Sequence, residues 1–136
     1  MNYYIDVWKK YGQFYGRARR AEYWYFILFN ALAMTALVML DLFLIEGVGI
    51  EFPVLTVAYI LASIIPNLAV TTRRLHDTGK SGWMMLISLI PFGNIVLLVF
   101  MCMDSEPGEN IYGPNPKESY SEIIDEIGNI DHFRQV

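Results

Sequence analysis

At 136 residues the chain is long enough for one domain, and at 54% hydrophobic and 15% aromatic it is more apolar than a soluble domain of about 45–50%. The formal net charge of −4 averages over basic segments whose placement reports membrane orientation rather than nucleic-acid binding, and the single cysteine, Cys102, excludes an intramolecular disulfide. The apolar excess lies in three long blocks nearly free of charge, so a bilayer rather than water is the natural solvent for most of the chain.

The first 20 residues are too long for a signal-peptide n-region, and the apolar block behind them ends in Ile45-Glu46-Gly47-Val48-Gly49 without a small-x-small cleavage site. On a helical wheel Tyr4, Val7, Trp8, Tyr11, Phe14 and Tyr15 share one side, while Asp6, Lys9, Lys10 and Gln13 share the other. This pattern predicts a short amphipathic helix at the membrane interface. The first span is expected over about residues 23–45, opened by the aromatic belt Tyr23-Trp24-Tyr25. Tyr23 to Leu40 carries no formal charge and measures roughly 27 Å as a helix, close to the hydrocarbon thickness. Asp41 follows, expected near the outer interface, with a polar interior as the alternative.

A short loop containing Gly47 and Gly49 leads to the second span, expected over about residues 52–72. Pro66 lacks an N–H and predicts a kink there, with Asn67 placing an amide on the same turn. The basic loop from Arg73 to Gly82 precedes a third apolar block over about residues 83–103. Pro91-Phe92-Gly93-Asn94 interrupts that block. Its two halves are each too short to cross a core needing about 20 helical residues. One kinked span is therefore expected, with a re-entrant turn as the alternative. Residues 1–117 make up this membrane domain, and 118–136 form an acidic tail. In the tail, Ser119 and Glu122 resemble a capping box that opens a short helix with Ile123, Ile124 and Ile127.

Five of the ten basic residues lie in the first 20 positions, and Arg73, Arg74 and Lys80 lie between the second and third blocks. Three spans put both segments on one face. The positive-inside rule makes that face cytoplasmic and puts the first loop and the start of the tail outside.

Few residues look equipped for chemistry. Gly79-Lys80-Ser81 lacks the upstream glycine of a phosphate-binding loop, since Arg74 occupies its place. His76 and Asp77 have only His132 as a further histidine, too little for a metal-dependent hydrolase. No metal, cofactor or catalytic residue is expected. What remains is a basic and aromatic rim: Arg19, Arg20 and Glu22 before the first span, and Arg73, Arg74, His76 and Asp77 before the third. Guanidinium forks match phosphate and carboxylate geometry, and the accompanying acids and histidine suggest an ion-paired network or an anionic headgroup site. The expected arrangement is one polar cluster joining the second group to Arg19, Arg20 or Glu22.

The segments GRARRAEYW, RRLHDTGKSGW and PGENIYGPNP, in this order and spacing, resemble the bacterial inner-membrane family called domain of unknown function 805, which includes YhaH-like proteins. The resemblance covers about residues 1–117 and implies a small multi-spanning inner-membrane protein, with no established activity, substrate or cofactor. The combined reading is an all-α membrane bundle of three transmembrane helices with an interfacial N-terminal helix, in the bacterial inner membrane with its N-terminus cytoplasmic. The expected function is non-enzymatic binding of anionic lipid or a partner protein at the rim. A small transporter or channel subunit is the alternative, and an enzyme acting on a lipid phosphate with His76 and Asp77 as acid and base is a further one. Asn30, Asn67 and Asn94, in or near the spans, favour homo-oligomers or a membrane-protein partner.

Overall fold

A computed structural model describes residues 3–49 and 51–118, which hold no β-strand. Among the described residues are four α-helices, α1 (Tyr3–Lys9), α2 (Arg20–Val48), α3 (Val54–Asp77) and α4 (Gly93–Cys102), with a 3₁₀ helix over Gly82–Leu89 before α4. The expected helix of the acidic tail lies outside the described residues. At 1.5 Å per residue, α2 and α3 measure about 43 Å and 36 Å, longer than a hydrocarbon core of about 30 Å. Only 6% of the most apolar window of α2 is buried within the protein, so α2 is not the core helix of a soluble domain. The chain is an all-α membrane protein.

Two compact units make up the chain. The first comprises residues up to Phe14 together with Ala21–Val70. Here α1 packs through Tyr4 and Val7: Val7 is fully buried, and the Tyr4 ring stacks on Phe26 at 5.7 Å between centroids. The helix is shorter than its pattern suggests. It ends at Lys9, and Tyr15, expected on its apolar side, is exposed. Two constraints tie the elements of this unit. Pro66 has no N–H, which leaves the Ala62 carbonyl without its helical donor. The Tyr11 hydroxyl supplies one at 2.8 Å, and α3 continues through Pro66 as helix. At the other end of α3, the first-turn N–H groups of Leu55 and Thr56 donate to the Asp41 carboxylate at 3.3 and 2.7 Å. Asp41 therefore caps a neighbouring helix and is buried, which explains an acid in an apolar helix. Two of the asparagines also find partners within the chain. Asn30 accepts from the Tyr59 hydroxyl at 2.7 Å, and Asn67 donates to the Ser63 carbonyl at 2.7 Å.

The second unit comprises Tyr15–Arg20 and the chain from Thr71 onward. Its third apolar block is not one kinked helix. Ile90 precedes proline and takes the extended conformation that proline imposes on its neighbour (φ −91°, ψ 141°), which ends the 3₁₀ helix. Pro91 and Phe92 then occupy the central positions of a type II turn, closed by Gly93 N–H to Ile90 O at 2.9 Å. Phe92 carries the positive φ of 66° that such a turn demands. At Gly93 a Cβ would collide with the Ile87 carbonyl, so only glycine lets the start of α4 lie against the 3₁₀ helix. Residues 105–113 also differ from expectation. Sequence reading puts the start of the tail on the face opposite the basic segments. The structure joins them: Glu106 N–H donates to Asp77 O at 2.8 Å, and Arg17 donates to Gly108 O at 2.7 Å.

Asp41→Ala, which strips the cap from α3, lowers stability by about 0.5–2 kcal/mol, while Asp41→Asn keeps an acceptor and loses less. Thermal unfolding in mild detergent measures both. A double-mutant cycle tests the Tyr11–Pro66 link. Tyr11→Phe costs about 1 kcal/mol in the parent and close to nothing in Pro66→Ala, where the restored N–H serves the Ala62 carbonyl. Additive effects would show that the hydroxyl does not serve this carbonyl.

Candidate functional site

The second unit is organised around one buried carboxylate. Asp77 is fully buried on the last turn of α3, and both of its oxygens are engaged. Oδ1 accepts from Arg17 Nε at 3.0 Å. Oδ2 accepts from Arg74 Nη1 and from the Ser105 hydroxyl, the latter at 2.6 Å. The helix ends immediately after Asp77 in a Schellman turn: Lys80 N–H donates to Leu75 O, Gly79 N–H donates to His76 O, and Gly79 takes the required positive φ of 70°.

Arg17 spends all five of its N–H donors inside the protein. Besides Asp77 Oδ1, its donors reach Gly108 O at 2.7 Å, Gly113 O at 3.3 Å, Glu106 O at 2.5 Å and Asp77 O at 3.4 Å. Arg74, also fully buried, donates to Asp77 and to the carbonyls of Met101, Met103 and Ala18. Met101 and Met103 stand at the C-terminal end of α4, where carbonyls lack helical partners and the helix dipole is negative. Arg20 adds a bond to Cys102 O at 3.1 Å. Two arginines therefore cap α4, and two guanidinium groups share one carboxylate. The excess positive charge is met by carbonyl dipoles.

His76 has partners of its own. Its ring lies parallel to Tyr112, with centroids 3.7 Å apart and planes 2° from parallel. Nδ1 is 3.3 Å from Gly16 O, a bond that requires the proton on Nδ1. Tyr112 is held by an Asn110 turn. Asn110 Oδ1 accepts from Tyr112 N–H, and its amide donates to His76 O at 3.0 Å and Glu106 Oε2 at 2.9 Å. A second, exposed network borders this one. Arg20 and Lys117 both pair with Asp104, and the Lys117 hydrogen bond holds the Asp104 carboxyl below the ordinary carboxylate range.

Of the expected cluster, Arg74 and Asp77 are in direct contact, Arg73 is buried beside them in sequence, and His76 is buried against Tyr112. Arg73 offers its carbonyl to Ala18 N–H at 3.1 Å. Arg19 reaches instead to Pro116 O at 2.8 Å, and Arg20 to Asp104 and Cys102. Glu22 belongs to the first unit, where Lys10 stands 4.0 Å away. The partner of Asp77 from the N-terminal segment is Arg17, which sequence reasoning missed, together with Ser105, Glu106, Asn110 and Tyr112. For Arg17, Asn110 and Tyr112 the only signal is membership of the three segments that carry the resemblance; Ser105 and Glu106 stand just before the last of them. Those segments close on one another around Asp77. Among the described residues no group of three or more His, Cys, Asp or Glu is arranged to hold a metal ion.

Residues 11–114, which include Arg17, Arg74, Asp77 and Tyr112, match the family described as Protein of unknown function (DUF805). The chain is 46% identical over 118 residues to inner membrane protein YhaI of Escherichia coli strain K12, covering 86% of this chain and 97% of that protein. It is 46% identical over 122 residues to inner membrane protein YhaH of the same strain, covering 86% of this chain and 98% of that protein. No solved structure matches it. With three-quarters of its length matched and relatives this similar across nearly their whole length, the chain belongs to the DUF805 family of membrane proteins.

Proposed function

We propose that this is a non-enzymatic, multi-pass protein of the bacterial inner membrane that retains anionic lipid at an exposed basic rim, with the buried arginines acting as structure. The observation that carries the reading is how the donors are distributed. Arg17 has none left for a ligand, and Arg74 keeps at most one, so neither offers a fork to a phosphate. Arg20 differs. Its side chain is 42% exposed and it borders Lys117 through Asp104, which leaves it placed to reach a headgroup. The relatives YhaI and YhaH are named as inner membrane proteins, which supports the compartment. Eight of the ten basic residues lie before the first span or just after the second, which supports a cytoplasmic N-terminus.

Two observations favour this reading over its competitors. An acid–base pair would need His76 and Asp77 to face one space, but His76 addresses Gly16 and Tyr112 while Asp77 addresses Arg17, Arg74 and Ser105. A transport path would need Asp41 and the asparagines to be free, but Asp41 caps α3 and Asn30 and Asn67 are bonded within the chain.

Native mass spectrometry from mild detergent separates structure from binding. Arg17→Lys and Arg74→Lys keep the charge but lose the planar fork, so the yield of monodisperse protein falls sharply. Arg74→Ala, which breaks a buried pair, costs about 3–5 kcal/mol. Arg20→Gln keeps the yield and lowers the share of protein carrying anionic lipid. Unchanged lipid retention in Arg20→Gln would overturn the lipid reading. Full yield with lost lipid in Arg74→Lys would move the binding site to the buried arginine.

A further inference from the structure

We propose that residues 82–103 form a re-entrant hairpin that enters the acyl-chain layer of one leaflet and returns to the face it left. The first observation is where its ends lie. At the start, Gly82 sits so close to α3 that an added Cβ would stand 2.6 Å from Thr72 Cγ2 and 3.4 Å from His76 Nε2. At the finish, the carbonyls of Met101 and Met103 accept from Arg74. Both ends are fastened to the same last turns of α3, so the block leaves and returns at one level.

Length agrees. Eight residues of 3₁₀ helix at about 2.0 Å each and ten of α-helix at 1.5 Å each give legs of roughly 16 and 15 Å. Each leg reaches about half of a 30 Å hydrocarbon core. Neither leg can cross the core, and a hairpin that returns to its own face does not need to.

The surface points to hydrocarbon as the occupant. No charged residue occurs from Gly82 to Met103. At the tip Leu89, Ile90 and Phe92 are 80%, 61% and 82% exposed, and Trp83 at the base is 80% exposed. Water would penalise that surface and acyl chains would not. The tip also limits the cost of placing a turn in lipid. Pro91 has no N–H to satisfy, and Ile90, Gly93 and Ile95 donate to the carbonyls of Ile87, Ile90 and Phe92 at 3.1, 2.9 and 3.0 Å. At the base, Lys80 lies over the Phe100 ring, 4.9 Å from its centroid, while Trp83 opens the first leg. A cation and an indole at that level mark a membrane interface. The inference uses the membrane setting and is independent of which face is cytoplasmic and of lipid retention at Arg20.

Cysteine accessibility in sealed inverted vesicles and in intact cells tests it. In a Cys102→Ala background, single cysteines are placed at exposed positions: Ser81→Cys before the hairpin, Glu109→Cys after it, Phe92→Cys at the tip, and Glu51→Cys between α2 and α3 as the opposite-face reference. With a membrane-impermeant maleimide, Ser81→Cys and Glu109→Cys label from the same side and Glu51→Cys from the other. Phe92→Cys labels at least about tenfold more slowly from either side until detergent is added, because hydrocarbon excludes the water-borne reagent. Labelling of Ser81→Cys and Glu109→Cys from opposite sides would show that the block crosses and would overturn the proposal. So would labelling of Phe92→Cys as fast as Ser81→Cys, which would place the hairpin in water. If Ser81→Cys and Glu109→Cys both label from the periplasm, the orientation under Proposed function fails and the hairpin stands.

Discussion

Burying a guanidinium group costs several kcal/mol even after relaxation, and this protein buries at least two around one carboxylate. Asp77 neutralises half of that charge. The remainder is met by backbone carbonyls at the C-terminal end of α4 and in the 106–113 loop. Each side therefore solves the other's problem. The arginines satisfy carbonyls of a helix end and a loop, and the carbonyls make the arginines tolerable in a dry site. Such an arrangement is a poor source of net stability compared with packed hydrocarbon, but it is strict about geometry. Only one placement of the helix end, the loop and the N-terminal segment satisfies every group.

Elsewhere the same logic recurs with neutral or single charges. The orphan carbonyl created by Pro66 is met by Tyr11, and the orphan N–H groups at the start of α3 are met by Asp41. In each case a backbone group left over by helix geometry is satisfied by a side chain from a different element. In hydrocarbon no water stands by to repair an omission, so these bonds specify which elements pack together.

The apolar blocks, their order and their charge-free windows are legible from the sequence because hydrophobicity and length are properties of the residues themselves. The break at Pro91 is legible too, from the pre-proline restriction on Ile90. The fold-back was harder to see, since Pro91-Phe92-Gly93 places phenylalanine where a type II turn prefers glycine, and the glycine serves instead to let Ile87 approach. Arg74, His76 and Asp77 were recognisable as a site because charge beside a span demands an explanation. Arg17 was not, because three arginines stand within four residues and nothing local says which one turns inward. Much of the loop's share was hidden for a deeper reason: what it offers Arg17 is carbonyl oxygens, and every residue type carries one.

Arg17 also sets a timetable. Its guanidinium bonds to the carbonyl of Gly113, 96 residues later in the chain. At synthesis rates of about 5–20 residues per second, roughly 5–20 s separate the two on the ribosome. The membrane helices can insert during that interval, but the knot cannot close until the loop emerges. A nascent chain interrupted before that point has both helix ends already capped, by the turn at Gly79 and by Arg74 and Arg20, but leaves Arg17 without three of its carbonyl acceptors.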